Sequence, residues 1–125
     1  MMRGKFKACT FLYLTREHEI THKTQILLQL RQNTGYTDGK YDFAFSGHVK
    51  AGESMKQTVR REVKEEIGID VPERALEFLI LIDAPEEGYL KGFFTDSSWI
   101  GEPRVCEPDK YGGLLWADSD DTKSS

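Results

Sequence analysis

Apolar residues recur along this 125-residue chain with two different spacings. Stretches rich in apolar, β-branched and aromatic residues predict strands over Lys5 to Leu14, Thr24 to Leu30, Leu76 to Ile82 and Tyr89 to Asp96. Tyr41 to Phe45 alternates aromatics with smaller residues and predicts a short strand; Gly113 to Trp116 predicts a last one. Between them the spacing changes. Met55, Val59, Val63 and Ile67 recur every four residues, one stripe of a helix over Ser54 to Ile67. Ser54 and Gln57 can form a capping box, Gly68 can close the helix, and Pro72 blocks its continuation.

The connections are polar. Thr15 to Lys23 reads as a loop whose His18 and His22 are solvated. Arg31 to Lys40 holds the turn formers Asn33, Gly35, Asp38 and Gly39. Pro85 to Gly88 is a turn, so the strands around it form an antiparallel hairpin. Gly101 to Pro108 reads as a loop, and residues 117–125 as a frayed tail. Strands before and after a central helix predict a mixed sheet in one α/β or α+β domain over residues 1–125.

Composition narrows the function classes. A chain that is 38% hydrophobic and 30% charged can bury a core. No apolar run approaches the roughly 20 residues of a membrane span. The basic-then-apolar start, MMRGKFKACTFLYL, lacks a cleavage site and reads as a strand rather than a leader. A net charge of −4 without a basic patch excludes a nucleic acid polymer as partner. Cys9 and Cys106 stand alone and fit no metal spacing, which points to thiols in a reducing cytoplasm.

Candidate chemistry concentrates in Gly47 to Ile69, GHVKAGESMKQTVRREVKEEIGI. At about 100° per residue, Glu62, Glu65 and Glu66 fall within an arc of about 100° beside the apolar stripe. Like charges at this spacing cost about 0.2–0.5 kcal/mol per pair, so clustering them is unfavourable unless a cation offsets it. Oxygen-only ligands select Mg²⁺ or Mn²⁺, which would neutralise phosphate and activate water. Gly47 and Gly52 permit tight turns and close backbone approach. Glu53 stands where it can fix the loop or reach the metal. Arg61 points roughly opposite the carboxylate centre and reads as a salt bridge bracing loop to helix. Charged runs of this kind also cover solvated helix faces, so the helix alone does not decide between the two readings.

The whole stretch does more. Gly47, five residues, Glu53, seven residues, then Arg61-Glu62-Val63-Lys64-Glu65-Glu66-Ile67-Gly68-Ile69 resembles the signature of the Nudix hydrolase superfamily, MutT-like members included. That signature is Gly-x5-Glu-x7-Arg-Glu-U-x-Glu-Glu-x-Gly-U, with U aliphatic, and all nine specified positions match over 23 residues. The resemblance implies an α/β/α sandwich with a mixed sheet and a loop–helix–loop catalytic box. It implies Mg²⁺-dependent hydrolysis (Mn²⁺ as substitute) of a nucleoside diphosphate linked to another group. A nucleoside triphosphate, oxidised or not, would give the monophosphate and pyrophosphate. ADP-ribose or nucleotide-sugar hydrolysis, and a non-catalytic nucleotide sensor, are the alternatives.

Site residues carry over in the same way. Glu62, Glu65 and Glu66 are the implied metal ligands, with Glu53 and Arg61 in supporting catalytic roles. Gly47, His48, Lys50 and Gly52 make the substrate and phosphate loop. Ser46 and Lys50 depart from residues common in relatives, and Lys50 reads as exposed. A further acidic residue outside the box is implied, with Glu107 ahead of Asp96 and Glu102. Tyr13, Tyr36, Tyr41, Phe43, Phe45 and Trp99 are aromatics a base could stack on, most of them better read as packing. The chain ends nine residues after Trp116, where the resemblance implies a further helix. The expectation is a shortened chain, or a face covered by a second subunit in a homodimer.

Overall fold

A computed structural model describes residues 7–32 and 39–119. The first two residues of the predicted first strand, the turn at 33–38 with Tyr36, and the tail from 120 lie outside them. Seven strands form one sheet: β1 (Lys7–Glu17), β2 (Thr24–Arg31), β3 (Tyr41–Asp42), β4 (Phe45–His48), β5 (Glu77–Ala84), β6 (Tyr89–Asp96) and β7 (Tyr111–Asp118). The helix α1 spans Met55–Ile67. Its capping box forms: Ser54 Oγ accepts from the Gln57 amide, and Gln57 Oε1 accepts from the Ser54 amide. Gly68 closes it at φ 72°, a left-handed position that glycine takes without strain.

The sheet runs β3-β2-β1-β6-β5, with β4 on β1 and β7 on β2. β1 is the hub. It pairs antiparallel with β2 and β4 and parallel with β6, so the sheet is mixed as expected. Three departures from the expected elements have clear causes. β1 continues past Leu14 because Thr15, Arg16 and Glu17 pair with Ile26, Gln25 and Thr24. The predicted strand over Tyr41 to Phe45 is two pieces, since Tyr41–Asp42 pairs with β2 and Phe45–His48 with β1. β7 includes Ala117 and Asp118, which pair with Ile26 and Gln25, so the tail begins later than residue 117.

Packing positions the helix. Val59, Val63 and Ile67 are buried against Leu12 and Leu14 of β1, Phe45 of β4 and Phe94 of β6. Full burial of such a side chain contributes about 1.5–3 kcal/mol, so this stripe holds α1 on the centre of the sheet. Trp99 stacks on Trp116 at 5.8 Å beside the core and is a packing residue. β5 behaves differently. Its Phe78, Leu79, Ile80, Leu81 and Ile82 are between 42% and 56% exposed. The strand closes one end of the sheet order, and α1 packs on β1 and β4 instead. Among the described residues no helix is long and apolar enough to cross a membrane.

Candidate active site

The loop before α1 is fixed by one glutamate. Glu53 Oε1 accepts from the Lys50 amide at 3.1 Å, Thr58 Oγ1 at 2.7 Å and Arg61 Nη2 at 3.0 Å. Its Oε2 accepts from Arg61 Nε at 2.8 Å. Arg61 Nη2 also donates to the His48 carbonyl at 3.1 Å, so the arginine ties α1 to both ends of the loop. The Arg61 hydrogen bond, with that of Thr58 behind it, holds the Glu53 carboxyl down at about 2. The same pairing raises Arg61 further above its ordinary range. With both oxygens engaged, Glu53 braces the loop against α1. Gly52 turns the loop at φ 80°. Gly47 has another reason to be glycine: a Cβ there would overlap the side chain of Glu62.

Arg61 does not point away from the carboxylates. It donates through Nη1 to Glu62 Oε1 at 2.7 Å and lies 3.6 Å from Glu65 Oε1. Glu65 stands on the open flank of α1, and Glu62, half-buried, packs against Gly47. Glu66 is different, only 7% exposed, and its Oε2 is buried with no hydrogen-bond partner. Burial, then the charges of Glu62 and Glu107, push its carboxyl up to about 8.

Glu107 arrives from the far end of the chain. The amides of Arg104 and Cys106 donate to the carbonyls of Ile67 and Glu66, each at 3.0 Å. These bonds satisfy carbonyls that the helix end would otherwise leave open. They set Glu107 beside Glu66. A turn follows in which the amides of Lys110 and Tyr111 donate to the Glu107 carbonyl, and β7 begins. Ser46, Gly47, Glu62, Glu65, Glu66 and Glu107 thereby line one cavity of about 460 Å³, with Arg31, His48, Lys110 and Tyr111 completing its wall. Burial, then Glu66, pushes the Tyr111 phenol up to about 12, so it stays protonated.

Asp96 and Glu102 do not reach this cavity. Asp96 is buried and accepts from the Ser98 amide beside a small cavity lined by Thr15, Ala75 and Glu77. Glu102 is exposed. Lys50 is exposed and lies, with His48, on a neighbouring cavity. Tyr13 and Phe43 line a third, of about 180 Å³, which shares Arg31 and Ser46 with the acidic one. Phe45 is core. Tyr41 is exposed and outside all three. Arg31, Lys110, Tyr111 and Thr58 were not singled out from sequence. Thr58 alone had a local signal, five residues after Glu53 in the first turns of a helix.

The donor set can be tested against a cation. Among the described residues, no group of three or more His, Cys, Asp or Glu side chains is gathered to hold a metal ion as it stands. Arg61 occupies Glu62, and Glu65 is 54% exposed. Yet all donors are carboxylate oxygens, one of them buried without a partner, and this is the chemistry of a hard divalent cation. In donor type, the residues present fit such an ion.

A mixed sheet carrying one helix, entered through a glycine loop and edged by glutamates, is the fold class that the motif implied. The NUDIX domain model matches residues 7–123, and the chain belongs to that family of hydrolases acting on pyrophosphate bonds, whose members in general use divalent cations. It is 37% identical over 54 residues to Nudix hydrolase 3 of Arabidopsis thaliana, a match covering 42% of this chain. That match spans only 7% of the length of the plant protein. Among solved structures, the fold is similar to a MutT described for Aliivibrio salmonicida and Vibrio cholerae, with TM-score 0.74 at 23% identity over 96% of this chain and 86% of that one. It is also similar to the NUDIX domain of Shewanella oneidensis NrtR complexed with ADP ribose, with TM-score 0.71 at 18% identity over 98% of this chain and 79% of that one.

Proposed function

We propose that this protein is a Mg²⁺-dependent hydrolase that converts a nucleoside triphosphate, oxidised or not, to the monophosphate and pyrophosphate. One observation carries the reading. Glu62, Glu65, Glu66 and Glu107 face a single cavity, and the buried oxygen of Glu66 has no protein partner there. Such crowding is unfavourable without a cation. Glu62, Glu65 and Glu66 would hold it, with Mn²⁺ able to replace Mg²⁺. The bound ion would neutralise phosphoryl oxygens and lower the pKa of water.

The residues of the chain divide the remaining work. Arg61 and Glu53 keep the loop closed on α1 and so fix where Gly47 and His48 meet the phosphates. Glu107 stands across the cavity from the helix and accepts the proton as water adds to phosphorus and the P–O–P bridge breaks. The bridging oxygen leaves with the departing phosphate. Lys110 at the same wall offsets the negative charge of the phosphates.

The test is a panel of nucleoside triphosphates, oxidised nucleotides, ADP-ribose and nucleotide sugars, assayed with Mg²⁺ and Mn²⁺ for phosphate or pyrophosphate release. Triphosphates as the best substrates support the proposal. A preference for ADP-ribose, the ligand named for the Shewanella neighbour, would replace it. Metal-free nucleotide binding without turnover would make the domain a sensor. Free thiols at Cys9 and Cys106 support a reducing, cytoplasmic setting. The reading includes a homodimer joined through β5, supported by its exposed apolar row at the end of the sheet order.

A further inference from the structure

Beside the acidic cavity lies a second one of opposite character, about 540 Å³ in volume. His48 lines both. The second cavity is bordered by Lys7, Lys50 and Tyr89, with the backbone of Ala8 and Val49 between them. Register explains the grouping. Lys7 pairs with Tyr89 across β1 and β6, and Cys9 pairs with His48 across β1 and β4. These side chains therefore share one face of the sheet. Lys7 Nζ sits 5.9 Å from the Tyr89 ring centroid, and the His48 ring tilts against the same tyrosine at 5.5 Å.

Charge makes the pairing of cavities informative. The chain carries a net charge of −4. Lys91, on the same sheet face, is already bound to Glu87 at 2.9 Å. Neither Lys7 nor Lys50 has a carboxylate within ion-pair distance among the described residues. Two unpaired ammonium groups and an imidazole around one concavity, on an acidic protein, form a local anion-attracting field. The cavity begins where the acidic site ends, at His48.

We propose that this basic cavity receives the group on the far side of the diphosphate, and that this group is anionic, a phosphate or pyrophosphate rather than a neutral sugar. The inference rests on the hydrolase reading above and adds the residues that select the far group. A diphosphate held at the carboxylates would extend past His48, and a terminal phosphate would lie between Lys7 and Lys50 with Tyr89 beneath. On hydrolysis of a triphosphate, the terminal phosphate of the departing pyrophosphate is the occupant. Lys7 is then a specificity-determining residue that touches no reacting atom.

ATP and ADP-glucose share adenosine diphosphate and differ in the far group, one charged and one neutral. Lys7→Glu should raise KM for ATP about tenfold with kcat kept, and leave KM for ADP-glucose within about twofold. Lys7→Arg should restore the ATP value. Independently of turnover, inorganic pyrophosphate titrated into the metal-free protein should shift the amide resonances of Ala8, Val49 and Tyr89 saturably. Lys7→Glu should weaken that binding about tenfold. Equal pyrophosphate affinity in the wild type and Lys7→Glu, or equal loss with both nucleotides, would overturn the inference. If neither nucleotide is hydrolysed, the hydrolase reading fails, and the pyrophosphate titration alone decides the cavity.

Discussion

The backbone of Gly47 runs against the side chain of Glu62, leaving no space for a Cβ between β4 and α1. Its φ is not positive, so closeness rather than backbone strain demands glycine. Gly47→Ala should therefore push Glu62 aside without unfolding the sheet. A displacement near 1 Å at a reacting centre costs about 100-fold in rate. The expected result is a loss of that order in kcat/KM with a circular dichroism spectrum like the wild type. Mn²⁺ affinity, read by electron paramagnetic resonance, should fall in parallel.

Glu66 places one unpartnered carboxylate oxygen in the interior. Glu66→Gln removes the buried charge and keeps the shape. The metal-free variant should melt at a higher temperature than the metal-free wild type at pH 8. Added Mg²⁺ should raise the Tm of the wild type and leave the variant unmoved, while kcat drops at least about 100-fold. A Mg²⁺-induced shift of equal size in both proteins would remove Glu66 from the ligand set.

The Arg61–Glu53 brace sets an acid limit. Folding lowers the Glu53 carboxyl from 4.5 to about 2. A depressed value of this kind contributes stability that is complete above pH 4.5 and lost as the pH falls toward 2. The urea midpoint of the wild type should thus decline more steeply between pH 5 and about 3 than that of Glu53→Gln, which cannot titrate there. Parallel declines would show that the brace carries no pH-dependent stability.

β5 offers a separate test. An isologous pairing of two β5 strands would satisfy the main-chain groups of the open edge and set the Phe78 to Ile82 rows of the two copies side by side. Light scattering after size exclusion should give twice the chain mass, 14.3 kDa, for the wild type. Ile80→Lys should return the monomer mass without loss of the helix signal. A monomeric wild type at micromolar concentration would remove the homodimer.

What could be read from sequence was local. The capping box, the four-residue stripe, Gly68 and the spacing from Gly47 to Ile69 all lie within one loop and one helix, and each signal names its own position. Contacts that join distant segments left no such mark. The resemblance ranks Glu107 ahead of Asp96 and Glu102, but no local signal sets any of the three at the carboxylates; the loop's bonds to Ile67 and Glu66 do that for Glu107. An apolar run such as Phe78 to Ile82 looks the same whether it lies at the middle of a sheet or its edge. A helical wheel represents the bracing side of Arg61 but not the bend of its long side chain back to Glu62.

Glu107 owes its position to main-chain bonds. Arg104 and Cys106 reach Ile67 and Glu66 through amides alone, and Ile100 exchanges both main-chain bonds with Asp70. Amides are common to almost every residue, so the side chains of Arg104 and Cys106 are not what holds Glu107 in place, whereas Gly101, at φ 102°, is demanded by its backbone. A motif reads letters at fixed spacing, so an acid set in place by main-chain bonds from a distant segment is invisible to it.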